Sequence, residues 1–385
     1  MDQSSQSPSL FPDQMHLIFK DKWLLAFLTW LPLVIGYFIW MVFSQGLVRE
    51  LPMGIVDLDH SSLSRQIAKT FDASPDLKVT HSFAGPLDAE KALQAGRVYA
   101  YAVIPRNLEK ETRLHTPPRI TLFYNTQYVL IGKKIISAVM RAQATLNARI
   151  DIGIALSKGS TDLNQAMGRI LPIRSQTTPL FNPGTNYAQF LVSGILPSLW
   201  QVFIVAGTVL VLSANHRQGN LAILLKNQAV TNVFSALANV FPIFLIQGLA
   251  FLYFFFHHLG WPFQGSWMVL ITAQAVMTSI CMVIGALFYF LVMDPPRALS
   301  LAGVFTAPGF AFMGVTFPKT DMSPLALAWR GMLPVSHYIE VQIGQANYGL
   351  APHLSLVKLV PLAWGILPLM LLILLINRRA KETIK

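Results

Sequence analysis

The chain has 385 residues, of which 53% are hydrophobic and only 12% are charged. Soluble globular proteins carry about 25% charged residues, so this composition excludes that class and is typical of an integral membrane protein. The formal net charge is +11, yet the basic residues lie either among acidic residues or at the ends of apolar runs. Anchoring to anionic lipid headgroups explains this distribution more simply than nucleic-acid binding does.

Six apolar runs along the chain are long enough to cross a bilayer, because a spanning helix needs about 20 mostly apolar residues. They cover residues 23–45, 187–213, 233–257, 267–293, 299–317 and 355–376. A polar insert separates the first run from the second. The pattern predicts an α-helical integral membrane protein with six transmembrane helices and an inserted extracytoplasmic α/β domain.

Residues 1–22 precede the first run and are predicted to form a cytoplasmic N-terminus and an interfacial elbow helix. Met15, Ile18, Phe19 and Lys22 would share one side of that helix and lie along the inner leaflet. The alternative is a frayed start of the first transmembrane helix. No small-residue cleavage site follows the first run, so we interpret that run as a retained span and not as a signal peptide.

The polar insert, residues 46–186, alternates strand and helix patterns. The predicted strands are GIVDLD, LKVTHSF, AYAVIP and RITLFYN. The predicted helices between them are SSLSRQIAKTF, PLDAEKALQAGRVY and RNLEKETR. A helical segment then runs to about Arg169, and one of its stripes carries Ile135, Val139, Ala142 and Leu146. This segment either packs on its own sheet or leads back to the membrane.

The basic residues that flank the runs predict the side of the membrane on which each loop lies. One side carries Lys20, Lys22, Arg217, Lys226, Arg297, Arg378, Arg379, Lys381 and Lys385. The opposite side carries the uncharged HHLGWPFQGS and the nearly neutral stretch 318–354. We therefore expect an extracytoplasmic insert, transmembrane helices two to six within 187–376, a cytoplasmic loop at 214–232 and a cytoplasmic tail at 377–385.

Two aspartates after the first predicted strand, Asp57 and Asp59, resemble the D-x-D pattern of phosphatases that form an aspartyl phosphate. The next two strands end without the further carboxylates that such a site needs. A helix cap formed by Asp59 or Ser61 is therefore the better interpretation.

Motifs for chemistry are otherwise missing from the sequence. The phosphate-binding loop G-x-x-x-x-G-K-[ST] is absent, and the nine histidines show no metal-binding spacing. We expect no catalytic residue, no metal and no cofactor bound by this chain. The interiors of the six runs also lack Asp, Glu, Lys and Arg, which ion-coupled transporters use, so the energy for transport would come from another source.

Four segments resemble the ABC-2 family of exporter permeases, in a multidrug-efflux-like subgroup with a large periplasmic domain between the first two spans. They are GIVDLDHSSLSRQIAKTF, LFNPGTNYAQFLVSGILP with Phe181, Asn182, Pro183 and Gly194, NHRQGNLAILLKNQAV, and APGFAFMGVTFPKTDMSPLALAWRGMLPVSHYIEV. In the last segment, the residues in the family's order are Pro308, Gly309, Phe312, Pro318, Met322, Pro324, Pro334 and Tyr338. The resemblance covers nearly the whole chain.

The resemblance implies several partners for the chain. They are two ABC ATPase subunits, which would bind ATP and magnesium, and a second permease copy that is identical or paralogous. Many members of the subgroup also work with a periplasmic adaptor and an outer-membrane channel. The resemblance further implies a re-entrant segment at 318–352 that shields the exit, with the residues Pro318, Pro324, Pro334, Tyr338 and Glu340.

The contact with the ATPase is expected in the cytoplasmic loop. Arg217, Gly219 and Asn220 occupy the place of the family's R-x-x-G-T core, although the glutamates that usually accompany it are missing. The apolar stripe that would press into a cleft of the ATPase, with its flanking cations, consists of Leu221, Leu224 and Leu225 between Arg217 and Lys226. The alternative is a surface turn with no partner.

These features together predict the permease subunit of an ATP-driven exporter in a bacterial inner membrane, which is not an enzyme by itself. It would move hydrophobic or amphipathic compounds, drug-like or lipid-like, outward. The side chains proposed to meet the cargo are Phe203, Phe241, Phe305, Phe310 and Met313, which are also ordinary residues of a span. The alternative function is a membrane-anchored extracytoplasmic sensing or docking protein without transport activity.

Overall fold

The computed structural model describes residues 10–44, 49–114, 118–157, 181–182 and 186–384. Within the chain there are two compact units, which we name the membrane unit (Met1–Gly46 with Pro179–Lys385) and the sheet unit (Leu47–Thr178). The first nine residues, the predicted continuation of the long helix from 158 to Arg169, and Pro183 lie outside the described residues.

The membrane unit begins with three helices, α1 (Leu10–Lys20), α2 (Lys22–Leu28) and α3 (Trp30–Phe43). Asp21 starts α2, because its carboxylate accepts hydrogen bonds from the backbone N–H groups of Trp23 and Leu24, both at 3.1 Å. The axes of α2 and α3 differ by 48°, so the first predicted span is a bent pair of helices.

The side of α1 that packs on its own chain differs from the side predicted to lie along the membrane. Ile18 is buried, whereas Phe19 is 66% exposed. The buried side of α1 instead carries Gln14 and Leu17 together with Ile18. The reason is that α1 packs on helices of its own chain, which cover a different stripe from the one that a free interfacial helix would turn toward lipid.

In the sheet unit, strands and helices alternate at the start and a long helix follows. The elements are β1 (Leu51–Asp57), α4 (Ser62–Asp72), β2 (Leu77–Phe83), α5 (Pro86–Gln94), β3 (Ala100–Ile104), α6 (Leu108–Arg113), β4 (Thr121–Tyr124) and α7 (Val129–Ser157). In this described part the sheet has the strand order β2-β1-β3-β4. β1 pairs in parallel with β2 and β3, and β4 is antiparallel to β3. Because parallel neighbours need a crossover connection, α4 and α5 fill those positions.

The two faces of the sheet carry different helices, since side chains alternate along each strand. On one face, residues of β1 such as Met53 and Ile55 pack with Phe71 of α4. The stripe predicted on α7, which includes Ile135 and Leu146, lies in the same cluster, so its packing on the sheet is confirmed. The other face packs residues of β1 and β3 against α5.

The rest of the membrane unit is helical where the structure describes it. Its elements are α8 (Tyr187–Arg217), α9 (Leu221–Leu225), α10 (Ala229–Ala238), α11 (Phe241–Tyr253) with a wide turn at Phe254–His258, α12 (Trp267–Val292), α13 (Pro295–Thr306), α14 (Gly309–Phe312), a 3₁₀ turn at Lys319–Asp321, α15 (Pro324–Met332), α16 (Pro334–Ala346), α17 (Pro352–Leu356), a 3₁₀ segment at Val357–Gly365, and α18 (Ile366–Ile384).

Four helical segments among the described residues are long and apolar enough to span a membrane, and the bent pair α2–α3 raises the number to five. The four are Tyr187–Arg217, Ala229–His258, Trp267–Val292 and Pro352–Glu382. The run predicted at 299–317 is not one continuous helix. Pro308 has no N–H to donate and interrupts it, so α13 and α14 occupy the run as two shorter pieces.

Candidate functional site

The first candidate site is the tight turn between α8 and α9. The N–H of Gly219 donates to the carbonyl of His216 at 3.0 Å, and the N–H of Asn220 donates to the carbonyl of Asn215 at 2.9 Å. This pair of bonds is a Schellman ending, which places the residue after the cap in the left-handed region. Gly219 occupies that position with φ +76°, which explains why glycine stands there.

Side chains from other parts of the chain hold the end of α8 in place. Gln14 of α1 and Asn215 exchange two amide hydrogen bonds of 2.9 and 3.0 Å, and both side chains are buried. Arg217 forms an ion pair of 3.0 Å with Asp21. On the opposite side, the hydroxyl of Tyr289 in α12 lies 2.9 Å from Nδ1 of His216. Contacts from α1, from Asp21 at the start of α2 and from α12 therefore fix the position of the turn.

The structure places the leucine stripe predicted in the loop 214–232 inside the core of its own chain. Leu221, Leu224 and Leu225 are buried in the core of the membrane unit, where α9 packs against α8, α10 and α18. A five-residue helix has only one strongly apolar stripe, and its own chain already covers that stripe. These three leucines are therefore not free to enter a partner.

The exposed side of α9 carries a different set of residues. Ile223 is 56% exposed, in contrast to the three buried leucines of the same helix. Arg217 and Lys226 flank it and are also exposed. Asn232 fixes the end of the helix, because its amide donates to the carbonyls of Leu224 at 3.3 Å and Lys226 at 3.1 Å. The geometry thus presents one apolar side chain between two cations on a fixed turn.

The second candidate site is the segment 318–352. Pro324 and Pro334 are the first residues of α15 and α16. Proline suits that position because its missing N–H would have no helical partner there. Pro318 instead precedes the short 3₁₀ turn and is exposed. The segment is therefore a pair of short helices joined at Leu333.

Buried glutamines attach α16 to two of the long helices. The N–H of Val335 donates to Oε1 of Gln201 on α8 at 3.0 Å. Nε2 of Gln274 on α12 donates to the hydroxyl of Tyr338 at 3.1 Å. Gln342 donates to the carbonyl of Ser193 at 2.9 Å. Sequence reasoning missed these glutamines, although an uncharged amide inside an apolar run is a visible signal for a contact between helices.

Glu340 joins the pieces of this segment. Arg330 of α15 donates to its carboxylate at 2.7 Å, and Lys319 donates to the same oxygen at 3.3 Å. The Arg330 side chain is only 8% exposed, so solvent screens this ion pair far less than a surface pair. The carboxylate therefore holds α15, α16 and the 3₁₀ turn in one arrangement.

The five side chains proposed to meet cargo differ in how deeply the chain buries them. Phe203 is buried and its ring lies 4.8 Å from that of Phe27. Met313 is also buried, with its sulfur 3.7 Å from Oγ of Ser198. The three half-buried ones are Phe241, Phe305 and Phe310. Within the described residues, no ring contact joins two of the five.

Helix capping accounts for the polar residues after β1. Oγ of Ser61 accepts from the N–H of Ser64 at 3.0 Å, which confirms Ser61 as the cap of α4. Asp59 caps another helix, because its carboxylate accepts from the N–H groups of Leu108 and Glu109 in α6, both at 3.1 Å. The hydrogen bond from Ser61 and these backbone bonds hold the pKa of Asp59 below its usual range.

A comparison with protein families gives a match over most of the chain. A family model described as ABC-2 family transporter protein matches residues 22–376. The match includes both candidate sites and the sheet unit. Searches of the curated proteins and of the solved structures find no match to the chain.

Proposed function

Because this chain belongs to the ABC-2 family of transporter proteins, we propose that it is the permease subunit of an ATP-driven exporter. In this proposal, the turn between α8 and α9 binds a separate ATPase and couples its movement to the permease. ABC-2 family permeases are transmembrane subunits, generally not catalytic themselves, and an ABC ATPase is in general their partner. The chain is an integral membrane protein, and the bacterial inner membrane is its proposed location.

The observation that carries this proposal is the exposed side of α9. Ile223 stands between Arg217 and Lys226, and the buried contacts of Asn215 and Leu224 fix the helix beneath it. An apolar side chain on a rigid support loses little conformational entropy on binding, so it can anchor a cleft in a partner. The force of a moving ATPase would then pass directly into α8.

Contacts between the ends of several helices support the proposal that these ends lie together on the cytoplasmic side of the membrane. Arg217 at the end of α8 pairs with Asp21 at the start of α2. Arg379 of α18 donates to the carbonyl of Leu291 near the end of α12 at 3.4 Å. These ends carry many of the flanking cations, which favours the cytoplasm for them. On this arrangement, α13 with α14 supplies a sixth crossing, and the sheet unit is extracytoplasmic.

The experiment that tests the proposal replaces Ile223 with Asp in the chain expressed together with its cognate ATPase. An unpaired carboxylate in an apolar cleft is expected to weaken the association about tenfold or more. The measurement is the amount of ATPase that copurifies with the permease, relative to the wild-type chain. Expression should remain normal, since the side chain is exposed.

The matched control is Leu87→Asp, which makes the same kind of change at a 64% exposed position of α5 in the sheet unit. It should leave copurification unchanged. Leu224→Asp should behave differently again and lower expression, because Leu224 is buried. Normal ATPase capture by the Ile223→Asp chain would contradict the proposed contact.

The cargo is proposed to be hydrophobic or amphipathic, because half-buried aromatic side chains such as Phe241 and Phe305 are available in the membrane unit and intramembrane charge is scarce. A second permease copy is a further part of the proposal. A periplasmic adaptor and an outer-membrane channel are proposed partners of the assembled exporter. The sensing or docking function without transport needs no ATPase, and it gains support only if the Ile223→Asp chain behaves as wild type.

A further inference from the structure

A groove of about 560 Å³ lies in the sheet unit between α4 and α7. This volume falls in the range of small-molecule sites, which is about 300–1,000 Å³. One wall comes from the last turn of α4 and the residues that follow it, Ala73 to Pro75. The other wall comes from the middle of α7, where Ala138, Ala142 and Thr145 line it. The groove lies on the side of the sheet away from α5.

The charges that line the groove have one sign. Lys69 of α4 and Arg141 and Arg149 of α7 contribute to its lining, and no acidic residue does. Lys69 and Arg149 are exposed and form no ion pair within the part of the chain that the structure describes. Arg141 is held in place, since it donates to Asp76 at 2.8 Å and to Ser137 at 3.0 Å.

The C-terminal end of α4 points toward the groove and makes the potential there less positive. A helix C-terminus corresponds to about half of a negative charge. Asp76 offsets the charge of Arg141, with which it pairs at 2.8 Å, so Lys69 and Arg149 supply the net positive charge that outweighs the partial charge of the helix end. The potential in the groove therefore favours an anion. Because a guanidinium presents a planar fork of N–H groups, phosphate and carboxylate are the anions that match it.

The groove also has an apolar surface, which we call its apolar floor. Ala73 and Pro75 provide this surface and are exposed, whereas Ala138 and Ala142 are buried. A free inorganic anion would leave this surface uncovered, whereas a ligand with an apolar body would cover it. The neighbouring stretch 158–180 is not a complementary occupant, since it contains Lys158, Arg169 and Arg174 against one acidic residue, Asp162.

From this combination we infer that the groove binds a small anionic amphiphile, with a phosphate monoester head on Lys69 and Arg149 and a short apolar body on the apolar floor. This site goes beyond the proposed transport function. It depends only on the sheet unit, and binding would be measured without an ATPase. A failure of transport would therefore leave the site standing, and a failure of binding would leave the transport proposal standing.

The test uses the full chain in neutral maltoside detergent and a hexyl phosphate that carries a photoreactive diazirine in its chain. Labelling is mapped by peptide mass spectrometry and should concentrate in 66–75 and 138–149. Unlabelled hexyl phosphate should compete, and hexyl glucoside should not. Inorganic phosphate should compete at least about tenfold more weakly, because it lacks the apolar body.

Three variants separate the effect of the charges from that of the shape of the groove. Lys69→Gln with Arg149→Gln should reduce labelling about tenfold, since two charge-assisted contacts are lost. Lys91→Gln with Arg97→Gln makes the same change in net charge at exposed positions on the other side of the sheet and should leave labelling unchanged. Thr145→Trp fills the groove without removing a charge and should also reduce labelling.

Three outcomes would overturn the inference. If the Lys69→Gln/Arg149→Gln chain is labelled as strongly as the wild-type chain, the cations do not bind the head. If hexyl glucoside competes as well as unlabelled hexyl phosphate, the groove does not recognise the charge of the ligand. If inorganic phosphate competes as well as unlabelled hexyl phosphate, the apolar floor contributes nothing to binding and the ligand is a simple anion.

Discussion

At the scale of single residues, the polar cluster after β1 shows what sequence spacing can predict. Ser61 lies next to the helix that it caps, so its role follows from the local order of residues. Asp59 caps α6, which begins 49 residues later. No local pattern reveals that pairing, because it exists only after the parallel sheet has brought the two loops to the same edge.

Replacing Asp59 with Ala should expose the start of α6. Two backbone N–H groups, those of Leu108 and Glu109, would lose their acceptor, and losing a cap costs about 1 kcal/mol. Hydrogen exchange of the peptide that contains α6, measured in the full chain, should become faster. Asp59→Asn retains an acceptor oxygen and should keep most of the protection.

The effect of Asp59 on stability should depend on pH in a definite direction. Its pKa is lowered in the folded chain, so the stabilisation is fully present above the unfolded value of about 3.9 and is lost as the pH falls through the folded value. The difference between wild type and Asp59→Ala should therefore shrink only in strong acid. A difference that disappears between pH 7 and 5 would contradict this assignment.

At the scale of elements, periodicity predicts which residues share a face but not what covers that face. The leucines of α9 do share one stripe, as expected from Leu221, Leu224 and Leu225. Their own chain covers that stripe, and the exposed side is left to Ile223. Likewise, prolines at 324 and 334 mark the ends of regular structure, but only the structure shows that helices begin there.

At Gly285, α12 lies close against α8. A Cβ atom at Gly285 would lie 2.5 Å from the carbonyl oxygen of Val205 and 2.9 Å from Cβ of Thr208. Because a backbone oxygen cannot move aside without its helix, Gly285→Ala should force the helices apart and cost about 1–3 kcal/mol. Thermal unfolding of the detergent-solubilised chain would measure the loss.

The matched control for Gly285 is Gly303 in α13, where a Cβ atom would meet nothing within 4 Å. Gly303→Ala should be neutral or stabilising by up to about 1 kcal/mol, since alanine is the better helix former. Equal destabilisation by the two substitutions would mean that close packing at Gly285 is not what matters.

At the scale of the whole molecule, hydropathy located every long apolar segment that the structure shows as a helix. Hydropathy could not predict whether an apolar run forms one continuous helix or two shorter ones. The bend between α2 and α3 and the break at Pro308 depend on local hydrogen bonds and on the neighbouring helices. The partners of the buried amides of Gln14, Gln201 and Gln274 could not be predicted either, because each partner lies far away in the sequence.

The proposed topology can be tested with reporters fused within the full chain. Fusions after Asn125 or Ala351 should report an extracytoplasmic location, and fusions after Gly219 or Lys385 a cytoplasmic one. The physical reason is the cost of moving Lys or Arg through the bilayer, about 2.5 to 3.5 kcal/mol for each at a helix centre. A cytoplasmic signal after Asn125 would contradict the whole arrangement.

ATP hydrolysis by purified components tests the central claim most directly. The chain alone should show no activity, because the sequence has no phosphate-binding loop. Adding the cognate ATPase should give a membrane complex whose hydrolysis responds to hydrophobic or amphipathic compounds, and Ile223→Asp should abolish that response. Hydrolysis by the uncontaminated chain alone, or a response to these compounds that the Ile223→Asp complex retains in full, would contradict the account.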